Sequence, residues 1–271
     1  MKPYQTLKLH SLVIAILFIV FTLIGVQYLP SLVVILTTAS LAITALSWRL
    51  YRALHRQIEI QQFKVFRQTE ALAGLYNTLD IQHPLPTTRH RAASPDFLHL
   101  LAREIFRVQP EFIVEAGSGT STLVAAYCLK KLGRGKIISL DHLEKYADIS
   151  RQTIKSHGLD KFAEVRYAPI KEYEIDDKKY PWYDNTGLEA LGRIDLLVVD
   201  GPPRNIAADA RYPAIPILID KLHENSIVLL DDGARPAEKE IVAQWKQKYG
   251  LDYTVEPMEK GAYSCHFIDR G

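Results

Sequence analysis

Cysteine is nearly missing from this sequence: Cys128 and Cys265 are the only two in 271 residues. There is no Cys-x-x-Cys pair and no Cys/His cluster, so neither a disulfide framework nor a structural zinc site is indicated, and reduced, buried thiols are expected. The formal net charge is only +2. That is too little for a nucleic-acid-binding surface, and no nucleic-acid partner is expected. The largest absence is local. From Leu9 to Trp48 there is no Asp, Glu, Lys or Arg, although 24% of the whole chain is charged. One chain therefore carries a membrane-like piece and a soluble piece.

Within the uncharged stretch, Leu12–Leu29 and Leu32–Trp48 each approach the roughly 20 apolar residues that cross a hydrocarbon core, with Tyr28, Pro30 and Ser31 interrupting them. Residues 1–48 are expected to form a transmembrane helical hairpin. A cleaved signal peptide fits less well, because no small-residue cleavage pattern follows and a second apolar stretch comes at once. Lys2 and Lys8 precede the first span, Arg49, Arg52 and Arg56 follow the second, and the turn is uncharged. Both ends then face the cytoplasm, so the expected location is the inner (cytoplasmic) membrane, multi-pass, with the soluble domain on the cytoplasmic side. Tyr28 and Trp48 fit aromatic anchors. The spans hold no ionisable group, which argues against transport or a proton relay.

Residues 49–84 place Leu50, Leu54, Ile58, Phe63 and Phe66 at helical spacing beside Arg52, Arg56, Lys64 and Arg67. This predicts an amphipathic linker helix, lying on the membrane, on a partner helix or on the soluble domain. Membrane lipids, and a second copy met through the 1–78 helices, are the partners expected here.

Residues 85–271 alternate short apolar runs with helical patterns. The runs are 112–115, 136–140, 163–167, 194–200 and 226–231, with helices expected at 120–132, 143–157, 204–222 and 236–249. Ser94-Pro95-Asp96 opens an earlier helix, with a capping residue before a proline at the first helical position. Runs at 253–256 and 263–267 suggest a closing antiparallel hairpin. The fold class is α/β: a doubly wound, mostly parallel sheet covered on both faces.

In such sheets ligands lie beyond the carboxyl ends of the strands. Those ends read Glu115-Ala-Gly-Ser-Gly-Thr120, Asp141-His142, Ala168-Pro169, Asp200-Gly-Pro-Pro203 and Asp231-Asp232. Carboxylates are costly to desolvate at strand ends without partners, so packing does not account for them. Gly117 and Gly119 allow a tight turn and close approach to a ligand. Asp141 stands where it can accept from two ribose hydroxyls, which suits NAD and S-adenosylmethionine alike. Two details discriminate. The third glycine of the dinucleotide fingerprint is replaced by Thr122, and Glu115 would oppose a pyrophosphate but suit a cationic ligand.

With these residues the sequence resembles the class I S-adenosylmethionine-dependent methyltransferases, over about 85–270. Phe112–Thr120 looks like their first motif. Ala92-Ala93-Ser94-Pro95-Asp96, Pro181-Trp182-Tyr183-Asp184, Val199–Pro203 and Leu229–Asp232 are similar to a bacterial small-molecule and sugar O-methyltransferase group. The resemblance implies a seven-stranded sheet with the last strand antiparallel. It places Glu115, Gly117, Ser118, Gly119 and Thr120 around the methionine part of S-adenosylmethionine, Asp141 at the ribose, and His142 and Ala168 near the adenine. Catechol-type relatives hold Mg²⁺ on one Asp after strand four and two acidic or amide residues after strand five, and Asp200, Asp231 and Asp232 match that pattern. Hard carboxylate oxygens suit Mg²⁺. The alternative is that Asp231 or Asp232 caps the next helix and Asp200 touches the cofactor amine.

The catechol enzymes' lysine is replaced here by Pro203, with Arg204 next. Arginine stays protonated and cannot be a base. Asp200, His142 or a metal-bound hydroxide remain as base, and Arg204 fits an anionic substrate group. Trp182, Tyr183 and Asp184 fit either a sugar-stacking lid or a packed loop anchor. The expected function is a membrane-anchored methyltransferase acting on a sugar or lipid-linked glycan intermediate. The alternative is an inactive scaffold for a membrane glycan-synthesis complex.

Overall fold

The computed structural model describes residues 3–28, 31–89, 92–188 and 192–268, with side chains in the first of these from Val13 to Gly25. Two units are distinguished, Met1–Lys64 and Val65–Gly271. Lys2, Leu29 and Pro30, and the side chains of Lys8, Leu12 and Tyr28, lie outside what is described, and the expectations attached to them with it.

The first unit holds α1 (Pro3–Tyr28) and most of α2 (Ser31–Leu79). Large apolar side chains, among them Ile14, Leu17, Leu23, Ile35, Leu36 and Ile43, are exposed along both helices. The hydroxyls of Thr22, Thr37, Thr38 and Thr44 donate to carbonyls one turn back, at 2.7–2.9 Å. These polar groups are thus satisfied without water. Gly25 of α1 lies so close to α2 that a Cβ there would come within 2.9 Å of Val34. Among the described residues, Ser31–Leu79 is the one helix long and apolar enough to cross a membrane, and Val13–Gly25 is a shorter apolar helix. The separate linker helix expected over 49–84 is instead the continuation of α2, which ends at Leu79. Nothing between Trp48 and Arg49 breaks a helix; the change there is one of polarity alone.

The second unit follows the expected alternation. Its elements are α3 (Pro95–Val108), β1 (Phe112–Ala116), α4 (Thr120–Leu132), β2 (Lys136–Asp141), α5 (Glu144–Ser156), β3 (Ala163–Tyr167), β4 (Ile170–Ile175), β5 (Lys178–Tyr183), β6 (Ile194–Val199), α6 (Ala214–Leu218), β7 (Leu222–Asp231), α7 (Pro236–Tyr249), β8 (Leu251–Glu256) and β9 (Ala262–Phe267). Seven strands form one sheet in the order β3-β2-β1-β6-β7-β9-β8, with β9 antiparallel to both its neighbours. The order reverses beside β1, and that is where the strand-end residues converge.

Period-two alternation divides the core between the two faces. Ile113 of β1 packs with Leu75, Phe97, Leu101 and Leu123 on one side, while Val114 packs with Trp182, Tyr212 and Trp245 on the other. Cys128 and Cys265 are free and buried, as expected.

Three local expectations change. The helix expected over 204–222 is reduced to α6, five residues long. Pro213 and Pro216 explain this, since a proline inside a helix lacks the N–H and clashes with the preceding turn. Residues 201–213 instead form turns that carry Arg211 inward. The supposed loop after β3 is a two-stranded hairpin, β4–β5, turning on Asp176 and Asp177 at φ of 51° and 60°. Two consecutive positive φ values are what a tight hairpin turn requires. At the start of α3, Ser94 makes no side-chain cap; Gln68 Oε1 of α2 accepts from Asp96 N–H at 3.1 Å instead.

Candidate active site

β1, β2, β6 and β7 end side by side, and each delivers acidic side chains to the same edge. At the end of β1, Glu115 is buried. Its Oε2 accepts from Thr122 Oγ and Ser139 Oγ, both at 2.5 Å, while Oε1 has no hydrogen-bond partner among the described residues. Burial pushes its carboxyl from 4.5 to about 7, against the pull of the Ser121, Ser139 and Thr122 hydroxyls and with a push from Asp200. An orphaned carboxylate oxygen at that place fits a ligand's ammonium, which would restore the lost ionisation.

Gly117 bends the chain away from β1 at φ 114°, a region that side chains other than glycine's rarely enter. No atom lies within 4 Å of where a Cβ on Gly119 would stand. The turn thus leaves a cradle before the α4 N-terminus, where Thr120 is buried as the first helical residue. At the end of β2, Asp141 Oδ2 accepts from Ser118 Oγ at 2.6 Å and Oδ1 from Leu143 N–H at 3.0 Å. Each oxygen keeps a further lone pair for a diol. Ala168 N–H donates to the Asp141 carbonyl at 2.7 Å, closing the floor beside it. Glu115, Gly117, Ser118, Gly119, Thr120, Asp141 and Ala168 are therefore brought together as expected.

His142 belongs to this side as well. Its Nδ1 is 3.8 Å from Asp141 Oδ1 and its ring meets Tyr183 edge-on. Among the described residues no hydrogen bond or ion pair joins His142 to Asp200, Asp231 or Asp232, which leaves it without a link to the second acidic group.

Trp182 and Tyr183 do not form a lid. They are fully buried at the end of β5, Trp182 within the core. A Cβ on Gly201 would overlap the Tyr183 hydroxyl, so glycine is needed there for the ring to pass. Burial, then the charges of Asp141 and Asp200, push the Tyr183 hydroxyl's pKa well above its ordinary value. Tyr183 is therefore a wall between the two acidic groups. Asp184 pairs with Lys171 at 2.7 Å and accepts from Thr186; those partners hold it at about 2. Arg204 is exposed in the turn after Pro203.

At the ends of β6 and β7, Asp200, Asp231 and Asp232 offer oxygens within 4.8 Å of one another, as expected. The sequence reading missed what answers them. Arg211, buried, donates from Nη2 to Asp232 Oδ2 at 2.8 Å and to Asp200 Oδ1 at 3.2 Å. It also donates to two strand-end carbonyls, Asp200 O through Nη2 and Asp231 O through Nη1, both at 2.8 Å. Arg235 Nη1 adds a second contact to Asp232 Oδ2 at 2.8 Å. Burial raises Asp200, with Arg211 drawing it back down. Asp231 is raised further, by burial and by its two acidic neighbours.

The residues present do not fit a resident Mg²⁺ ion. Among the described residues Asp231 Oδ2 lacks a partner, but the other two carboxylates already share one guanidinium nitrogen. A divalent ion would have to share these two carboxylates with a buried guanidinium of like charge, which opposes its binding. Arg211's only local sequence signal is its place just before Tyr212-Pro213, where a helix cannot continue.

Comparison with known proteins bears on the fold that carries this edge. Residues 114–233 match the family described as Methyltransferase domain. No curated protein matches the chain. Among solved structures, the SAH-bound methyltransferase of Podospora anserina is 19% identical, with 73% of this chain and 88% of that one covered and a TM-score of 0.54. The O-methyltransferase of Bacillus cereus in complex with SAH is 17% identical, covering 73% and 91%, with a TM-score of 0.51. Residues 114–233 therefore match a methyltransferase domain, and the sheet around them has the fold of the class I S-adenosylmethionine-dependent methyltransferases.

Proposed function

We propose that the chain is a membrane-anchored S-adenosylmethionine-dependent O-methyltransferase acting on a sugar or lipid-linked glycan intermediate at the cytoplasmic membrane face. The observation that carries this reading is the union, in one chain, of an exposed apolar helical surface with two acidic groups at adjoining strand ends. The pair of structures with TM-scores above 0.5, whose names include an O-methyltransferase and SAH, supports the cofactor and the hydroxyl acceptor. The Thr side chains turned back on their own helices support a lipid setting for residues 1–48, spanning as a hairpin; a second copy would meet the chain through the 1–78 helices.

S-adenosylmethionine, when bound, supplies an electrophilic methyl group on a sulfonium. The protein's residues do the rest. Glu115 faces the ammonium, Asp141 holds the ribose diol, and Tyr183 separates that side from the acceptor. Asp200 is the base: its side chain is 20% exposed, against 7% for Asp232, and burial raises its pKa, which makes it a stronger proton acceptor. Arg204, exposed near this edge, meets an anionic group of the acceptor. Placing the hydroxyl in line with the methyl supplies most of the remaining rate enhancement.

The test is transfer of label from methyl-labelled S-adenosylmethionine by the full-length protein in detergent, offered membrane lipids and glycan extracts. Label is expected in the lipid-linked fraction, and in a neutral sugar after acid hydrolysis. Label confined to amine products, or absent from every sugar, would overturn the acceptor assignment.

A further inference from the structure

The acidic group at the ends of β6 and β7 looks like a cation site that already has its cation. Three features set Arg211 apart from a surface ion pair. Its side chain is only 5% exposed. Four of its hydrogen bonds go to just three residues, Asp200, Asp231 and Asp232, whose oxygens a shared cation would need. Two of the four acceptors are main-chain carbonyls, one at the end of each strand, so the guanidinium also fastens β6 to β7. A planar fork with five donors can bridge two strands in this way; a lysine ammonium cannot. A fourth acid, Glu238, stands 3.7 Å from Nη1, and Arg235 takes up Asp232 and Glu238 from the outer side.

We infer that Arg211 is the built-in counter-cation of this cluster and holds the place of the divalent metal, so that methyl transfer needs no metal ion. Arg211 acts through Asp200 and is a positioning residue. By engaging Oδ1 it fixes the carboxylate's orientation and leaves the remainder of Asp200 turned to the acceptor. A guanidinium does not exchange with the medium and stays charged at every working pH, so the counter-charge is constant where a metal's occupancy would vary. The catalytic half of this inference rests on the proposed role of Asp200; the cation half does not.

The experiment is a Mn²⁺ titration of the full-length protein in detergent, followed by the electron paramagnetic resonance signal of free Mn²⁺, on wild type, Arg211→Ala and Arg211→Lys. Wild type is expected to take up no Mn²⁺ below the millimolar range and to keep its turnover in excess chelator. Arg211→Ala is expected to gain one site at least tenfold tighter than any in wild type, and to lose it again when Asp231→Asn is added. Arg211→Lys, which keeps the charge, is expected to gain none. Micromolar Mn²⁺ binding by wild type, or a folded Arg211→Ala that gains no site, overturns the inference. Should Arg211→Ala not fold, the wild-type titration decides alone. Absence of transfer to any membrane acceptor would sink the proposed function and leave the Mn²⁺ result standing.

Discussion

The two acidic groups at the sheet edge are answered in opposite ways. Glu115 and Asp141 are met by hydroxyls and a backbone N–H; Asp200 and Asp232 are met by guanidinium groups. Neutral donors are individually weak and can turn away, so the first group is free to rebind a charged ligand. A buried guanidinium cannot turn away without stranding its partners. The first side is built for exchange, and the second for permanence.

The sharpest way to break the contrast is Arg211→Met. Removing one partner of a buried ion cluster costs about 3–5 kcal/mol, and the melting temperature in detergent is expected to fall by roughly 10 °C. An unchanged melting temperature would mean that the cluster is solvated rather than held. Next comes Asp141→Ala. Loss of two charge-assisted hydrogen bonds should weaken S-adenosylmethionine binding by about 3 kcal/mol, over a hundredfold in Kd by calorimetry, with little change in melting. Equal binding would remove Asp141 from the cofactor site.

Glu115→Gln tests the exchangeable side through pH. Because burial lifts the folded carboxyl to about 7, the ligand-free protein keeps a proton that the unfolded chain gives up. Its stability is full below about 4.5 and is lost as the pH rises through about 7. The variant has no such slope and is expected to be more stable than wild type by about 3 kcal/mol at pH 8, while binding the cofactor less well. Parallel pH–melting curves for the two proteins would refute this. Arg204→Ala should move least. An exposed arginine contributes within about 0.5 kcal/mol to stability, so the expected change is a higher KM for an anionic acceptor with kcat kept.

Much of this was legible because strand ends in a parallel sheet are marked by abrupt changes of polarity. The apolar runs at 112–115 and 163–167 and the helices at 120–132 and 236–249 match the observed elements to within a residue. The cofactor-side residues follow, since they lie within a few positions of those ends. The misreadings share another cause. Trp182 and Tyr183 resemble a lid only while 170–183 is taken for a loop; the alternation Tyr173, Glu174, Ile175 before the Asp176-Asp177 turn is the sign of a hairpin. The helix expected over 204–222 ignored Pro213 and Pro216. With that helix in mind Arg211 reads as a solvated charge, and its partners, 11 and 21 positions away, leave no periodic trace. Gln68 in place of Ser94 at the start of α3 is likewise a long-range substitution of one acceptor for another.

That cap bears on where the protein can be divided. Leu75 and Leu79 belong to the same core as Phe97 and Leu101, and Gln68 closes the first turn of α3. A fragment beginning at residue 80 or 85, the natural cut by composition, would discard all three and uncover the helix on which the sheet's first face rests. The unit that carries the sheet begins inside α2, at Val65. A version without the first unit has to be cut within a helix rather than after it, and its first turns would need a new cap of their own.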